Sequence, residues 1–143
     1  MRKKTILLVE DDELDIISVQ RSLQKLDIEY ELHTAYNGKE ALAMLTQEVA
    51  PIEPDVVLLD LNMPKMNGIE FLKTIRSHPS LKHLDVFIMT TSAESVDRTT
   101  TEQIGISGYI IKPLNYQDNS KRTDSMDAFV QFHLRKILAN DPA

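Results

Sequence analysis

Four short stretches are apolar almost without a break: residues 6–9 (ILLV), 56–59 (VVLL), 86–89 (VFIM) and 109–111 (YII). Runs of that length, rich in Val, Ile and Leu, predict strands covered on both faces by other elements. A fifth segment, Tyr30–Ala35 (YELHTA), is more mixed and reads as an edge strand. Between these stretches the apolar positions recur at helical spacing. Ile16, Val19, Leu23 and Leu26 share one face, as do Ala41, Leu42 and Leu45, and again Ile69, Leu72 and Ile75. Phe129, Val130, His133, Leu134 and Ile137 make a last stripe, which predicts that His133 packs inward. The segment 95–104 is a weaker helix, because Thr99, Thr100 and Thr101 lower its propensity.

Punctuation supports these elements. Asn37-Gly38 and Asn67-Gly68 are turns that cap the second and third helices, and Pro51 and Pro54 bracket the loop before the third strand. The alternation predicts five strands and five helices, (βα)₅, joined by right-handed crossovers into a doubly wound parallel sheet. Residues 114–124 (LNYQDNSKRTD) are polar and predict a longer loop before the last helix. One domain over residues 1–143, with no output domain, is expected from a length of 143.

Composition narrows the chemistry. The chain is 42% hydrophobic, enough for a core, and its 16 Lys and Arg against 22 Asp and Glu give a net charge of −6. That balance argues against nucleic acid as a partner, which needs clustered cations. With no cysteine, disulfides, thiolate catalysis and Cys-based metal sites are excluded. The apolar run behind Met1 stops at Glu10, short of the roughly 7–15 residues of a signal h-region. No stretch approaches the ~18 apolar residues of a membrane helix, so a soluble cytoplasmic protein with no membrane partner is expected.

In an open parallel sheet, ligands bind beyond the carboxyl ends of the strands. Those ends read Glu10-Asp11-Asp12, Asp60-Leu61-Asn62, Thr90-Thr91-Ser92 and Lys112-Pro113, whereas the edge strand ends in Ala35-Tyr36 without a comparable polar group. Carboxylates meeting above one sheet edge resist ionisation unless a cation is supplied. Residues 10–15 (EDDELD) hold five acids in six positions, more than a helix start requires. A hard divalent ion such as Mg2+ suits the set, since it takes oxygen ligands and keeps several waters. The expected direct ligands are Asp12, Asp60 and the Asn62 backbone carbonyl, with Asp11 acting through water. The alternative is that Asp11 and Asp12 merely cap the first helix, where acids favour the dipole. A metal beside a carboxylate, a hydroxyl and an ammonium suits phosphoryl transfer to an Asp nucleophile. Asp60 is the best-placed nucleophile, with Lys112 and Thr90 as donors to the phosphoryl oxygens. Thr90 as an ordinary strand residue and Lys112 snorkelling to solvent are the plain alternatives. His33, His78, His83 and His133 show no metal-ligand spacing, and the chain has no GxxxxGK loop.

The stretches ILLVEDDE (6–13), VVLLDLNMPKMNGIEFL (56–72), IMTTS (88–92) and GYIIKP (108–113) together resemble a two-component response-regulator receiver domain. The resemblance covers essentially the whole chain. It implies the flavodoxin-like α/β fold with strand order 2-1-3-4-5. Carried over by position, it makes Asp60 the phosphoacceptor, Asp11 and Asp12 the acidic metal pair, Thr90 the switch hydroxyl, Tyr109 the switch aromatic and Lys112 the conserved-type lysine, with a cis Lys112–Pro113 bond. Asn62 and Ser92 stand where phosphoryl lifetime is tuned. Thr91 departs from the very small residue usual there and would narrow access. LLDLNMP, TTS and GYIIKP resemble stand-alone regulators partnered with phytochromes, although LNYQDNSKRTD differs from their usual approach to the last helix.

The function so implied is a switch in a phosphorelay. A sensor histidine kinase or phosphotransfer protein supplies a phosphohistidine, Asp60 takes the phosphoryl group with Mg2+, and Thr90 and Tyr109 move in response. The signal then passes to a downstream protein target, or through a homodimer formed by helix four, strand five and helix five. No enzymatic turnover beyond self-phosphorylation and autodephosphorylation is expected. One alternative is a phosphorylation-independent interaction module on the same fold, though such modules usually lack the quintet Asp11, Asp12, Asp60, Thr90 and Lys112. Another is an Asp-nucleophile phosphatase of the haloacid-dehalogenase type, which wants Asp-x-Asp after its first strand and a cap domain.

Overall fold

The computed structural model describes residues 3–26, 28–61, 66–91, 95–112 and 125–139. Five strands, β1 (Lys4–Val9), β2 (Tyr30–Ala35), β3 (Val56–Asp60), β4 (Val86–Thr91) and β5 (Gly108–Lys112), form one sheet in the order β2-β1-β3-β4-β5. Every pairing is parallel. Helices α1 (Glu13–Leu23), α2 (Gly38–Thr46), α3 (Gly68–Ser77) and α4 (Ser95–Ile104) alternate with the strands. The last helix begins as α5 (Ser125–Phe129), passes through a π-helical turn at Val130–Leu134 and ends as α6 (Arg135–Ala139). This is the predicted flavodoxin-like architecture, and β2 is at the expected edge.

The unbroken apolar strands follow from two cores. Side chains alternate across a strand, so Ile6 and Leu8 join the core under α1 and the last helix, whereas Leu7 and Val9 join the core under α2 and α3. All four are fully buried, and each such side chain contributes about 2 kcal/mol of hydrophobic stabilisation. Asn37 and Asn67 are the N-caps expected, accepting from the Glu40 and Glu70 N–H groups at 2.8 and 2.9 Å. Glu70 reaches back to the Asn67 N–H and completes a capping box. Across the first core, the Ser22 hydroxyl and the Lys25 ammonium both donate to Asp127, joining α1 to α5.

His133 departs from expectation. It is exposed, its ring lying 6.2 Å from that of Phe129. The i→i+5 turn is wider than an α turn, so the inward stripe runs through Met126, Val130, Leu134 and Leu138 and leaves His133 off it. Among the described residues, no helix is long and apolar enough to cross a membrane.

Candidate functional site

Three carboxylates converge beyond the carboxyl ends of β1 and β3. Glu10 follows directly on Val9 and is completely buried, Asp60 ends β3 and is also buried, and Asp11 is exposed. One oxygen from each lies within 4.8 Å of the others. Gly68 makes the approach behind Asp60 possible. Its N–H donates to the Leu61 carbonyl at 3.0 Å, and a Cβ there would stand 2.5 Å from the Asp60 carbonyl oxygen.

Strand β5 brings a cation to these acids. The Lys112 ammonium donates to Glu10 Oε2 at 3.1 Å and to Asp60 Oδ1 at 3.4 Å, and it pairs with Asp15 Oδ2 at 2.7 Å. On the intervening strand, Met89 is the register partner of Asp60, so buried Thr90 stands one residue beyond it at the sheet's end. Tyr109 is half-buried, and its hydroxyl shares a 2.7 Å hydrogen bond with Thr101 of α4, which is completely buried.

The electrostatics follow from this crowding. Burial, reinforced by the charge of Asp60, pushes the Glu10 carboxyl up to about 7, although the Asp12 N–H and Lys112 favour its ionised form. Burial works against the Lys112 charge, yet the hydrogen bond to Asp15 and the charges of Asp60, Glu10 and Asp15 outweigh it and hold the ammonium above the usual lysine range.

Asp12, expected as a direct metal ligand, takes the alternative role of a helix cap. Its carboxylate accepts from the Leu14 and Asp15 N–H groups at 2.9 and 3.2 Å and is the N-cap of α1. The backbone turns into the helix there, and the orphan N–H groups of the first turn claim the side chain. Glu10 takes its place among the acids. A local signal pointed to this, since Glu10 is the first residue after the apolar run and Asp12 stands at capping distance before the next apolar residues. Asp15, the third acid on Lys112, was also passed over, because nothing in the sequence aims an α1 side chain at β5. The Asn62 carbonyl, Ser92 and the Lys112–Pro113 bond lie outside the described residues, as does the Thr91 side chain.

Fold, strand order and an acid cluster beside a lysine define the class: the chain belongs to the response regulator receiver domain family, which matches residues 6–123. Among individual proteins it is 36% identical over 130 residues to the response regulator Rcp1 of Synechocystis sp., covering 88% of each chain. The crystal structure of the Mn(2+)-bound form of Rcp1 matches with a TM-score of 0.83 and 34% identity, over 98% of this chain and 99% of that one. The phosphorylated cyanobacterial phytochrome response regulator RcpA matches with a TM-score of 0.74 and 36% identity, over 80% of this chain and 84% of that one.

The donor set of Glu10, Asp11 and Asp60 fits the divalent-metal site of a receiver domain. It offers only oxygen, and a carboxyl raised to about 7 by burial, with the Asp60 charge adding to it, is one whose ionised form a bound cation would favour.

Proposed function

We propose that this protein is a phosphorylation-dependent switch whose acceptor is Asp60. The observation that carries the reading is a buried carboxylate at the end of β3, gathered with Glu10 and Asp11 and hydrogen-bonded to Lys112. An Asp60 oxygen attacks the phosphorus of a phosphohistidine. The new O–P bond forms as the P–N bond breaks, and the freed imidazole nitrogen takes up a proton. Lys112 offers an N–H to a phosphoryl oxygen, and Thr90 offers its hydroxyl from the adjacent strand. Glu10, Asp11 and Asp60 would hold Mg2+, which supplies neutralisation of charge on the transferring oxygens.

The donor is a sensor histidine kinase or a phosphotransfer protein, and the α1 surface suits such a partner. Leu14 and Ile17 are exposed on that helix close to the acids, an apolar rim for a protein contact beside an acidic centre. Once modified, Asp60 carries added charge, roughly −1.5 to −2 in all by analogy with other phospho-residues. Thr90 turns toward it, and Tyr109 exchanges its Thr101 contact for the space vacated. The altered surface of α4, β5 and α5 then binds a downstream protein or a second copy of the chain. Its place is cytoplasmic, and its chemistry ends with its own phosphorylation and dephosphorylation.

Intact mass after incubation with Mg2+ and acetyl phosphate tests this reading, beside Asp60→Asn and a chelator control. The expected result is one phosphoryl adduct, absent from both controls. An adduct that persists in Asp60→Asn would overturn the assignment. No adduct in a folded, Mg2+-binding protein, from acetyl phosphate or a phosphorylated kinase, would leave a receiver fold that acts as a phosphorylation-independent interaction module.

A further inference from the structure

An ammonium has three N–H donors, and Lys112 directs its three toward Asp15, Glu10 and Asp60. The shortest contact, 2.7 Å, goes to Asp15, while the contact to Asp60 is the longest at 3.4 Å. Asp15 stands apart from the three converging acids. It belongs to the first turn of α1, and its side chain is about as shielded as that of Lys112, at 21% and 17% exposed. A phosphoryl group on Asp60 brings new anionic oxygens that need a donor. With all three N–H groups engaged, Lys112 serves them only by giving up a carboxylate. Asp15 also adds a negative charge beside the reacting centre.

We infer that Asp15 is a positioning residue that acts through Lys112, holding the ammonium on α1 in the unmodified chain and competing with the phosphoryl group for it. This rests on the reading of Asp60 as acceptor. Asp15 thereby sets how readily Asp60 is modified and how long the modification lasts, with α1 as the brake.

The experiment has two readouts. The first is the affinity for beryllofluoride, a phosphoryl mimic, measured by titration with Mg2+ present. Asp15→Asn is expected to tighten it by about fivefold, the scale of one partly exposed ion pair, and Asp15→Glu to return it toward the wild-type value. In a Lys112→Ala background, Asp15→Asn is expected to change little. An unchanged or weakened affinity in Asp15→Asn overturns the inference, and so does the same gain in the Lys112→Ala background, which would mean charge repulsion without Lys112. The second readout is the NMR signal of the Lys112 ammonium in the unmodified protein, which Asp15→Asn should shift and Asp15→Glu restore. If wild type takes neither beryllofluoride nor a phosphoryl group, the proposed function fails. An identical Lys112 signal in wild type and Asp15→Asn removes the ion pair itself, whatever Asp60 does.

Discussion

Glu10 is a carboxyl without exposed surface, placed between the acid Asp60 and the ammonium of Lys112. Its folded-state value of about 7 lies above the ordinary 4.5, so the folded chain binds this proton more tightly than the unfolded chain. The stability it contributes is therefore complete below about 4.5 and lost as the pH rises through about 7. Urea denaturation with a chelator present should show stability falling from about pH 5 to about pH 8. Mg2+ should oppose the fall near pH 8 and do little near pH 5, because the cation takes the ionised carboxylate. Glu10→Gln should flatten the profile. At this scale the sequence was half legible: Asp60 and Lys112 could be placed from the strand ends alone. Choosing Glu10 over Asp12 needed the backbone path, because one residue decides whether a carboxylate faces the sheet's end or the helix's N–H groups.

Elements hold these side chains in place, and the start of α3 lies hard against the end of β3. A Cβ on Gly68 would meet the Asp60 carbonyl oxygen at 2.5 Å and the Leu61 Cα at 2.6 Å. Both are backbone atoms, which cannot rotate aside. Gly68→Ala should lower stability by about 2 kcal/mol in urea denaturation. It should also slow acetyl phosphate uptake, since relief of the clash displaces Asp60. The strands, the first three helices and the Asn37 and Asn67 caps were legible because each depends on local spacing. The last helix was only partly so. Its apolar residues allow either stripe, and packing of Phe129 edge-on against Phe87, at 4.7 Å, accompanies the π turn that turns His133 out.

Across the whole molecule, α1 buries Ile16, Val19 and Leu23 in the core and leaves two apolar side chains exposed, starting four residues after Glu10. Leu14 is 75% exposed and Ile17 46%. Replacing Leu14 with Ser should slow phosphoryl transfer from a phosphorylated kinase by about tenfold, the effect of losing roughly 1.4 kcal/mol at an interface contact. Uptake from acetyl phosphate, which needs no protein surface, should stay near wild type. Equal slowing with both donors would place the defect in the site and remove α1 from the docking surface. The sequence by itself determined the α/β alternation, the two-sided burial of the sheet and the set of polar residues at its carboxyl edge. These follow from period, propensity and capping, which act over a few neighbouring residues. Only the tertiary structure decided which acids meet and which of them Lys112 holds. Those contacts join β1, α1, β3 and β5, and they depend on strand register and side-chain direction, to which no local pattern is bound.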